Sequence, residues 1–200
     1  MPRKDTYRDR LKARLIQAAE TVITEHGLGA VQARAIAAAA ECSVGTLYNI
    51  FGDIDGLILA VSERTLHDMS RVLIAAARRS ASAELEPGLM TLASAYLDFA
   101  TVNRRRWRAI FDHLWPEGRE LPATYVTDRG QLLALLQERL ASAIPDPQAR
   151  SDAAHALFAA VHGIVLLALD AKIAPFEPER CERQIRFVVG HVVKGLANEV

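Results

Sequence analysis

From Leu11 to Leu196 the apolar residues recur at every third or fourth position, and this spacing constrains the fold more than any other feature. In the last segment Ile185, Val188, Val189, Val192, Val193 and Leu196 fall at i, i+3, i+4, i+7, i+8 and i+11, one face of a helix. The first segment repeats the pattern with Leu11, Leu15, Ala19, Val22 and Ile23, and a middle one with Ile58, Val61, Thr65, Met69, Val72 and Ala76. No segment alternates with the period of a strand. Ala and Leu are abundant and β-branched runs are short, which favours helices. The expectation is an all-α protein.

Stop signals divide this pattern into about nine helices. The first ends at "HGLG", where Gly27 and Gly29 stand. Residues 33–40 and 44–50 read as two short helices, and Asp53 or Asp55 is placed to cap a fourth. "ASAELEPG" (Ala81–Gly88) reads as a loop. Helices are then expected over 89–102, 105–114, 123–143, 148–173 and 179–197, separated by "WPEG", "IPDP" and "APFEP". The short helices occupy residues 1–52 and the long ones residues 53–200, so a domain boundary is expected after residue 52.

The charge balance excludes a global electrostatic attraction to polyanions: 24 Lys and Arg oppose 24 Asp and Glu. The local balance differs. Arg3, Lys4, Arg8, Arg10, Lys12 and Arg14 outnumber Asp5 and Asp9 in the first 14 residues, as in a solvated terminus or a phosphate-binding arm. Two distant cysteines, Cys42 and Cys181, fit a reducing cytoplasm and neither a disulfide framework nor a zinc site. The polar start "MPRKDTYRDR" has no signal-peptide character. The apolar run Ala156–Leu169 is shorter than the roughly 20 residues of a membrane span. No nucleophile–base pair, metal-ligand spacing or phosphate loop is present, so catalytic residues, metals and cofactors are not expected. His155 and His162 lack a carboxylate–His–His spacing, and Asp112 and His113, adjacent on a helix, diverge.

"AIAAAAECSVGTLYNIF" (Ala35–Phe51) has the requirements of a helix-turn-helix. Ala37 is small where two helices cross, Leu47 and Ile50 point into the corner, and Ser43 is placed as N-cap of the second helix. Gly45 permits close approach, and Thr46, Tyr48 and Asn49 carry polar groups outward. Hydroxyls at 46 and 48 suit phosphates, and Asn49 suits a base edge, with adenine the usual partner. "RLIQAAETVITEHGLGAVQARAIAAAAECSVGTLYNIFGDIDGLI" (Arg14–Ile58) resembles the DNA-binding region of TetR-family transcriptional regulators. Ala18-Ala19, Gly27, Ile36-Ala37, Ser43, Gly45, Thr46, Tyr48 and Phe51 stand at that family's pattern positions. "LFAAVHGIV" (Leu157–Val165) is similar to a His-Gly signature in the eighth helix of one subgroup, with Phe158 where an aromatic, usually Trp, stands. Four positions depart from the family pattern. Glu41 replaces a turn Gly, Val44 a polar residue, Gln32 a capping Thr, and Ile54 (between Asp53 and Asp55) an early Lys. Cations are therefore scarce near the second helix, leaving Arg34 and the N-terminal arm to supply attraction.

The resemblance implies a helix-turn-helix domain at residues 1–52 and an effector-binding and dimerisation domain at residues 53–200. DNA would be met by Arg34, Ser43, Val44, Gly45, Thr46, Tyr48 and Asn49. Aromatic residues gather at Tyr96, Phe99, Trp107, Phe111, Trp115 and Tyr125, each readable as core or as cavity wall. The expected ligand contacts are Phe99, Trp107, Phe111, Trp115, Tyr125, Phe158 and His162, around a flat or lipophilic effector. His162 alone is strongly polar in its apolar run and reads as a satisfied core histidine ahead of a ligand contact. "NRRRWR" (Asn103–Arg108) reads as a solvated helix start or a second anion-binding surface with guanidinium stacking on Trp107. A homodimer interface is expected at Ala156, Ala160, Gly163, Leu167, Val189, Val192 and Leu196.

The expected function is a cytoplasmic, homodimeric, ligand-responsive regulator, a repressor, bound to a near-palindromic double-stranded DNA operator, with no membrane partner. The alternative is a helical ligand- or protein-binding module that no longer binds DNA, for which Glu41, Val44 and Ile54 speak. An all-α enzyme is the third reading.

Overall fold

Nine α-helices and one 3-10 turn make up the regular structure of the described residues. The computed structural model describes residues 3–170 and 175–198. In order these are α1 (Arg3–His26), the 3-10 turn (Leu28–Ala30), α2 (Ala33–Ala39), α3 (Val44–Phe51), α4 (Ile54–Arg79) and α5 (Leu85–Val102). Then follow α6 (Arg104–Asp112), α7 (Ala123–Leu140), α8 (Pro147–Leu169) and α9 (Pro178–Asn198). The all-α expectation holds. Part of the helix end expected at residue 173 falls on residues 171–174, outside the described residues, as do the side chains of Arg3 and Lys4.

One helix starts earlier than the sequence reading, and another is longer than its apolar run. α5 begins at Leu85, inside the segment expected to be a loop. Pro87 is tolerated there because the first turn of a helix has no intrahelical acceptor for its N–H groups. Gly88 N–H then makes the bond to Glu84 C=O at 3.0 Å. α8 is 23 residues long, and by length and composition alone it has the reach of a membrane span. Its buried positions Ala154, Leu157, Val161, Val165 and Leu169 face the core of the second unit. Asp146 caps it, accepting from Ala149 N–H at 2.7 Å, with Pro147 in the first turn.

The chain forms two compact units: Met1–His67 with Asn103–Tyr125, and Asp68–Val102 with Val126–Val200. This division by packing falls elsewhere than after residue 52, because Leu57 and Val61 of α4 share the core of α1 and α6 packs on α1. In the first unit Leu11, Leu15, Ala19 and Ile23 of α1 form the buried stripe anticipated from spacing. Ile36, Ala37, Ala40, Leu47, Leu57, Val61 and Ala109 complete that core. α1 stops at Gly27, whose φ of +85° suits glycine. In the second unit α5, α8 and α9 pack on one another, with Leu89, Leu92, Tyr96, Val165, Ile185 and Val189 in the core.

Arg105, Arg106 and Arg108 of the arginine run are structural. Arg105 donates to the carbonyls of Thr24 (3.0 Å) and Glu25, two of the acceptors left over at the C-terminal end of α1. Arg106 pairs with buried Glu20 and bonds Asn103 Oδ1 at 2.6 Å. Arg64 lies 3.1 Å from the other Glu20 oxygen, close enough for an ion pair though not aligned as a hydrogen bond. Arg108 pairs with Asp112 at 2.9 Å. Trp107 is fully buried and meets Phe111 edge-on. The guanidinium stacking occurs elsewhere: Arg119 lies 4.6 Å from the Trp115 ring.

Candidate nucleic-acid interface and ligand cavity

α2, a four-residue turn and α3 form the helix-turn-helix. α3 starts where Ser43 caps it: Thr46 N–H donates to Ser43 Oγ at 3.0 Å, and the two hydroxyl oxygens lie 2.8 Å apart. α2 has no such cap, since the Gln32 side chain makes no bond to the helix start. Glu41 holds the turn with a φ of +52°. Arg14 from α1 secures it, donating to Ala40 C=O and to Glu41 at 2.9 Å. Arg14 is thereby committed to the turn.

Leu47 anchors α3 in the core, and Tyr48, Asn49, Gly45 and Arg34 are exposed. Thr46 is half-buried and tied to the Ser43 hydroxyl. Val44, half-buried, packs against the core, as do Cys42, Ile50 and Ile54. The apolar departures at 44 and 54 thus have a packing role. Gly45 does not: a Cβ there would meet only Ser43 Oγ, at an ordinary 3.7 Å, and φ is not positive. Nothing inside the unit requires glycine at 45.

The acidic start of α4 is partnered. Asp53 caps the helix, accepting from Gly56 N–H at 2.8 Å, and pairs with Arg119 at 2.6 Å. The Gly56 N–H and the Arg119 guanidinium hold the Asp53 carboxyl below the usual carboxylate range against a smaller effect of burial. His113 Nε2 lies 2.9 Å from Asp55 Oδ1. Arg119 sits 66 residues away in sequence, in a segment whose Trp115 Nε1–H closes back on the Arg119 carbonyl at 2.7 Å.

The second unit holds a cavity of about 50 Å³. Leu73 of α4 lines it, with Leu89, Leu92, Ala93 and Tyr96 of α5. α7 supplies Leu132, Leu135 and Leu136; α8 supplies Leu157, Phe158 and Val161; α9 supplies Val189. Tyr96 Oη and His162 Nδ1 are 2.7 Å apart, and the His162 ring stacks on Phe158 at 5.6 Å. Burial pushes the His162 imidazole below the usual histidine range. Of the seven expected ligand residues, Phe158 lines this cavity and His162 stands beside it, bonded to its wall. Phe99 is buried in α5 but does not line it. Trp107, Phe111, Trp115 and Tyr125 belong to the first unit and take no part. The aromatic residues at 107, 111, 115 and 125 thus gather in the first unit, whereas the cavity of the second unit is lined largely by leucines, among them 132, 135 and 136.

The expected dimer residues separate in the same way. Ala156 and Leu167 are exposed, and Ala160, Gly163, Val192 and Leu196 half-buried. Val189 is 1% exposed and faces the cavity, so it is withdrawn from the interface. Phe187, two positions earlier on α9, is 65% exposed beside half-buried Ile164 and Val188, with the His191 ring 4.1 Å away. The helical period placed a stripe on α9, but only packing against α5 and α8 decides which edge of it stays outside.

A sequence-family model described as "Tetracyclin repressor-like, C-terminal domain" matches residues 89–191, and one described as "Bacterial regulatory proteins, tetR family" matches residues 15–61. No curated protein matches the chain. Solved structures share the fold. A protein of unknown function from Rhodococcus sp. RHA1 superposes with a TM-score of 0.75 at 21% identity, over 94% of this chain and 95% of that one. A TetR-family transcriptional regulator from Streptomyces coelicolor gives 0.66 at 19%, over 93% and 99%. The TetR-family regulator PfmR from Thermus thermophilus gives 0.59 at 19%, over 90% and 97%. With both ends of the chain matched, this protein belongs to the TetR family of ligand-responsive, DNA-binding transcriptional regulators.

Proposed function

We propose that the chain is a cytoplasmic, homodimeric repressor that holds a near-palindromic operator through α3 and leaves it when an effector enters the second unit's cavity. The helix-turn-helix domain at residues 1–52 carries the DNA contact, and residues 53–200 carry the effector site and the dimer. One observation supports the DNA reading above others. Gly45 is exposed beside the capped start of α3 and has no internal reason to be glycine. A missing side chain at a helix start suits close approach of a phosphate backbone to the N–H groups there. Tyr48 and Asn49, exposed on the same short helix, supply a phosphate contact and a base contact. Exposed Arg8, Arg10, Lys12 and Arg34 add attraction, and Arg119 offsets Asp53.

The dimer would close over Ala156, Ala160, Gly163, Ile164 and Leu167 of α8 and Phe187 of α9. A Cβ added at Gly163 would meet nothing within 4 Å, which leaves room for a partner helix to come close.

The test is a fluorescence titration of operator DNA taken from around the protein's own gene. Gly45→Ala should keep or raise the melting temperature, because Ala is the better helix former by about 1 kcal/mol. The same change should weaken operator binding at least tenfold, and Tyr48→Ala should do likewise. Wild-type affinity in both variants would remove α3 from the interface. Derepression of an adjacent promoter on deleting the gene would fix the sign of regulation; loss of expression would make the protein an activator.

A further inference from the structure

The cavity's chemistry restricts what can enter it. Seven of its twelve lining residues are leucines, and the Tyr96 hydroxyl is the only polar side-chain group among them. We propose that the cavity takes a flexible, uncharged aliphatic chain carrying one hydroxyl or carbonyl group, seated with that group at the Tyr96 hydroxyl. This rests on the reading of the cavity as the effector site and names the ligand class for it.

Three observations carry the proposal. First, no charged side chain lines the cavity, so a buried carboxylate or ammonium would lose its hydration without a counter-ion. The neighbouring His162 is itself held toward its neutral form by burial. Second, the two aromatic rings in the wall already engage each other: Tyr96 and Phe158 meet edge-on at 5.9 Å, and Phe158 stacks on His162. They leave no parallel slot for a planar ligand. Third, the cavity measures about 50 Å³, whereas an apolar cavity that accepts benzene measures about 150 Å³. A ligand therefore enters only as the walls move. Leucine side chains move by single rotamer steps, each opening a small adjoining space. A flexible chain can thread connected small spaces, while a rigid ring needs one contiguous opening. The polar end has a ready partner, since the Tyr96–His162 pair, 2.7 Å apart, can take up either a donor or an acceptor: with the imidazole hydrogen on Nε2 the hydroxyl donates to His162 and its oxygen accepts from the ligand, and with the hydrogen on Nδ1 the imidazole donates to that oxygen and the hydroxyl turns to donate to the ligand.

The experiment is calorimetric titration of the full-length protein at pH 8 with 1-hexanol, 1-octanol, 1-decanol, octanoate, octylamine and 2-naphthol. Kd should fall about tenfold from hexanol to octanol, the apolar gain of two methylenes. Octanoate, octylamine and naphthol should bind at least tenfold more weakly than octanol. Tyr96→Phe should weaken octanol about fivefold, as loss of one neutral hydrogen bond implies. Leu135→Phe, which fills the chamber, should weaken it more, with melting curves showing that both variants are folded. Tighter binding of naphthol or of octanoate, no dependence on chain length, or no binding by any alcohol would overturn the proposal. Operator DNA included in the same titrations separates the two readings. Alcohol binding with this preference but without release of operator upholds the ligand class and removes the effector role. Release by naphthol alone upholds the effector role and removes the ligand class.

Discussion

Glu41 sits in the left-handed region at φ +52°, where a side chain costs about 1–2 kcal/mol and glycine nothing comparable. Its compensation is the contact with Arg14, but both side chains are substantially exposed and such a pair contributes about 0–1 kcal/mol. Arg14 also keeps its bond to the Ala40 carbonyl whatever stands at 41. Glu41→Gly should therefore raise stability by about 0.5 kcal/mol, after allowing for the greater freedom of glycine in the unfolded chain. Glu41→Ala, which keeps the strain and loses the pair, should lower it; urea denaturation of both variants decides the matter. The N-cap at Ser43 was legible in the sequence because it depends on three neighbouring residues. The Arg14–Glu41 contact was not, because it joins positions 27 apart through the crossing of two helices. The same distinction applies to His162, whose partner Tyr96 lies 66 residues away. Its folded-state pKa is depressed below 6.5 by burial, so the unfolded chain takes up a proton first as pH falls. Stability should thus be constant for this group above about pH 6.5 and decline as pH drops below it. An NMR titration of the His162 ring should place its midpoint under the ordinary value, and a midpoint at or above 6.5 would refute the sign.

Among elements, periodicity located every helix, and errors occurred where a distant side chain changed the rules. "EPG" reads as a loop, yet Gly88 lies in the first turns of α5. The cause is Arg139 of α7, which donates to the carbonyls of Ala81, Ala83 and Glu84 at 3.2–3.4 Å and lies across the glycine. A Cβ at position 88 would stand 1.5 Å from the guanidinium Nη2. Glycine there is a cradle for arginine, not a helix breaker. Gly88→Ala should displace the guanidinium from its three acceptors and destabilise the protein by about 2 kcal/mol, despite the better helix propensity of alanine. Adding Arg139→Ala to Gly88→Ala should cost little further, since the clamp is already lost. Additive losses in that double-mutant cycle would show that the two residues act independently. The arginines at 105 and 106 were misread for a related reason. A run of like charges looks solvated until the carbonyls ending α1 and the carboxylate of Glu20 are brought beside it.

At the scale of the whole molecule, the sequence disclosed two functional ends and the kind of chain that joins them, but not which residues form the dimer. The proposed interface rests on Val189 turning into the second unit and Phe187 turning out, a difference of two positions on one helix. Operator binding offers a quantitative check of the dimer. Each recognition helix brings its own set of phosphate contacts, and the logarithm of affinity falls with the logarithm of salt in proportion to the phosphates neutralised. Two half-sites held by one dimer should give about twice the slope of a single half-site. Phe187→Asp places an uncompensated charge in the middle of the proposed apolar face while leaving an exposed position exposed in the monomer, so the fold should survive. Light scattering should show the variant as a monomer at concentrations where the parent chain is a dimer. The salt slope on a full operator should fall to about half, and on a single half-site parent and variant should give the same slope. A dimeric variant, or a monomer that keeps the full slope, would mean that the two recognition helices are not joined through α8 and α9.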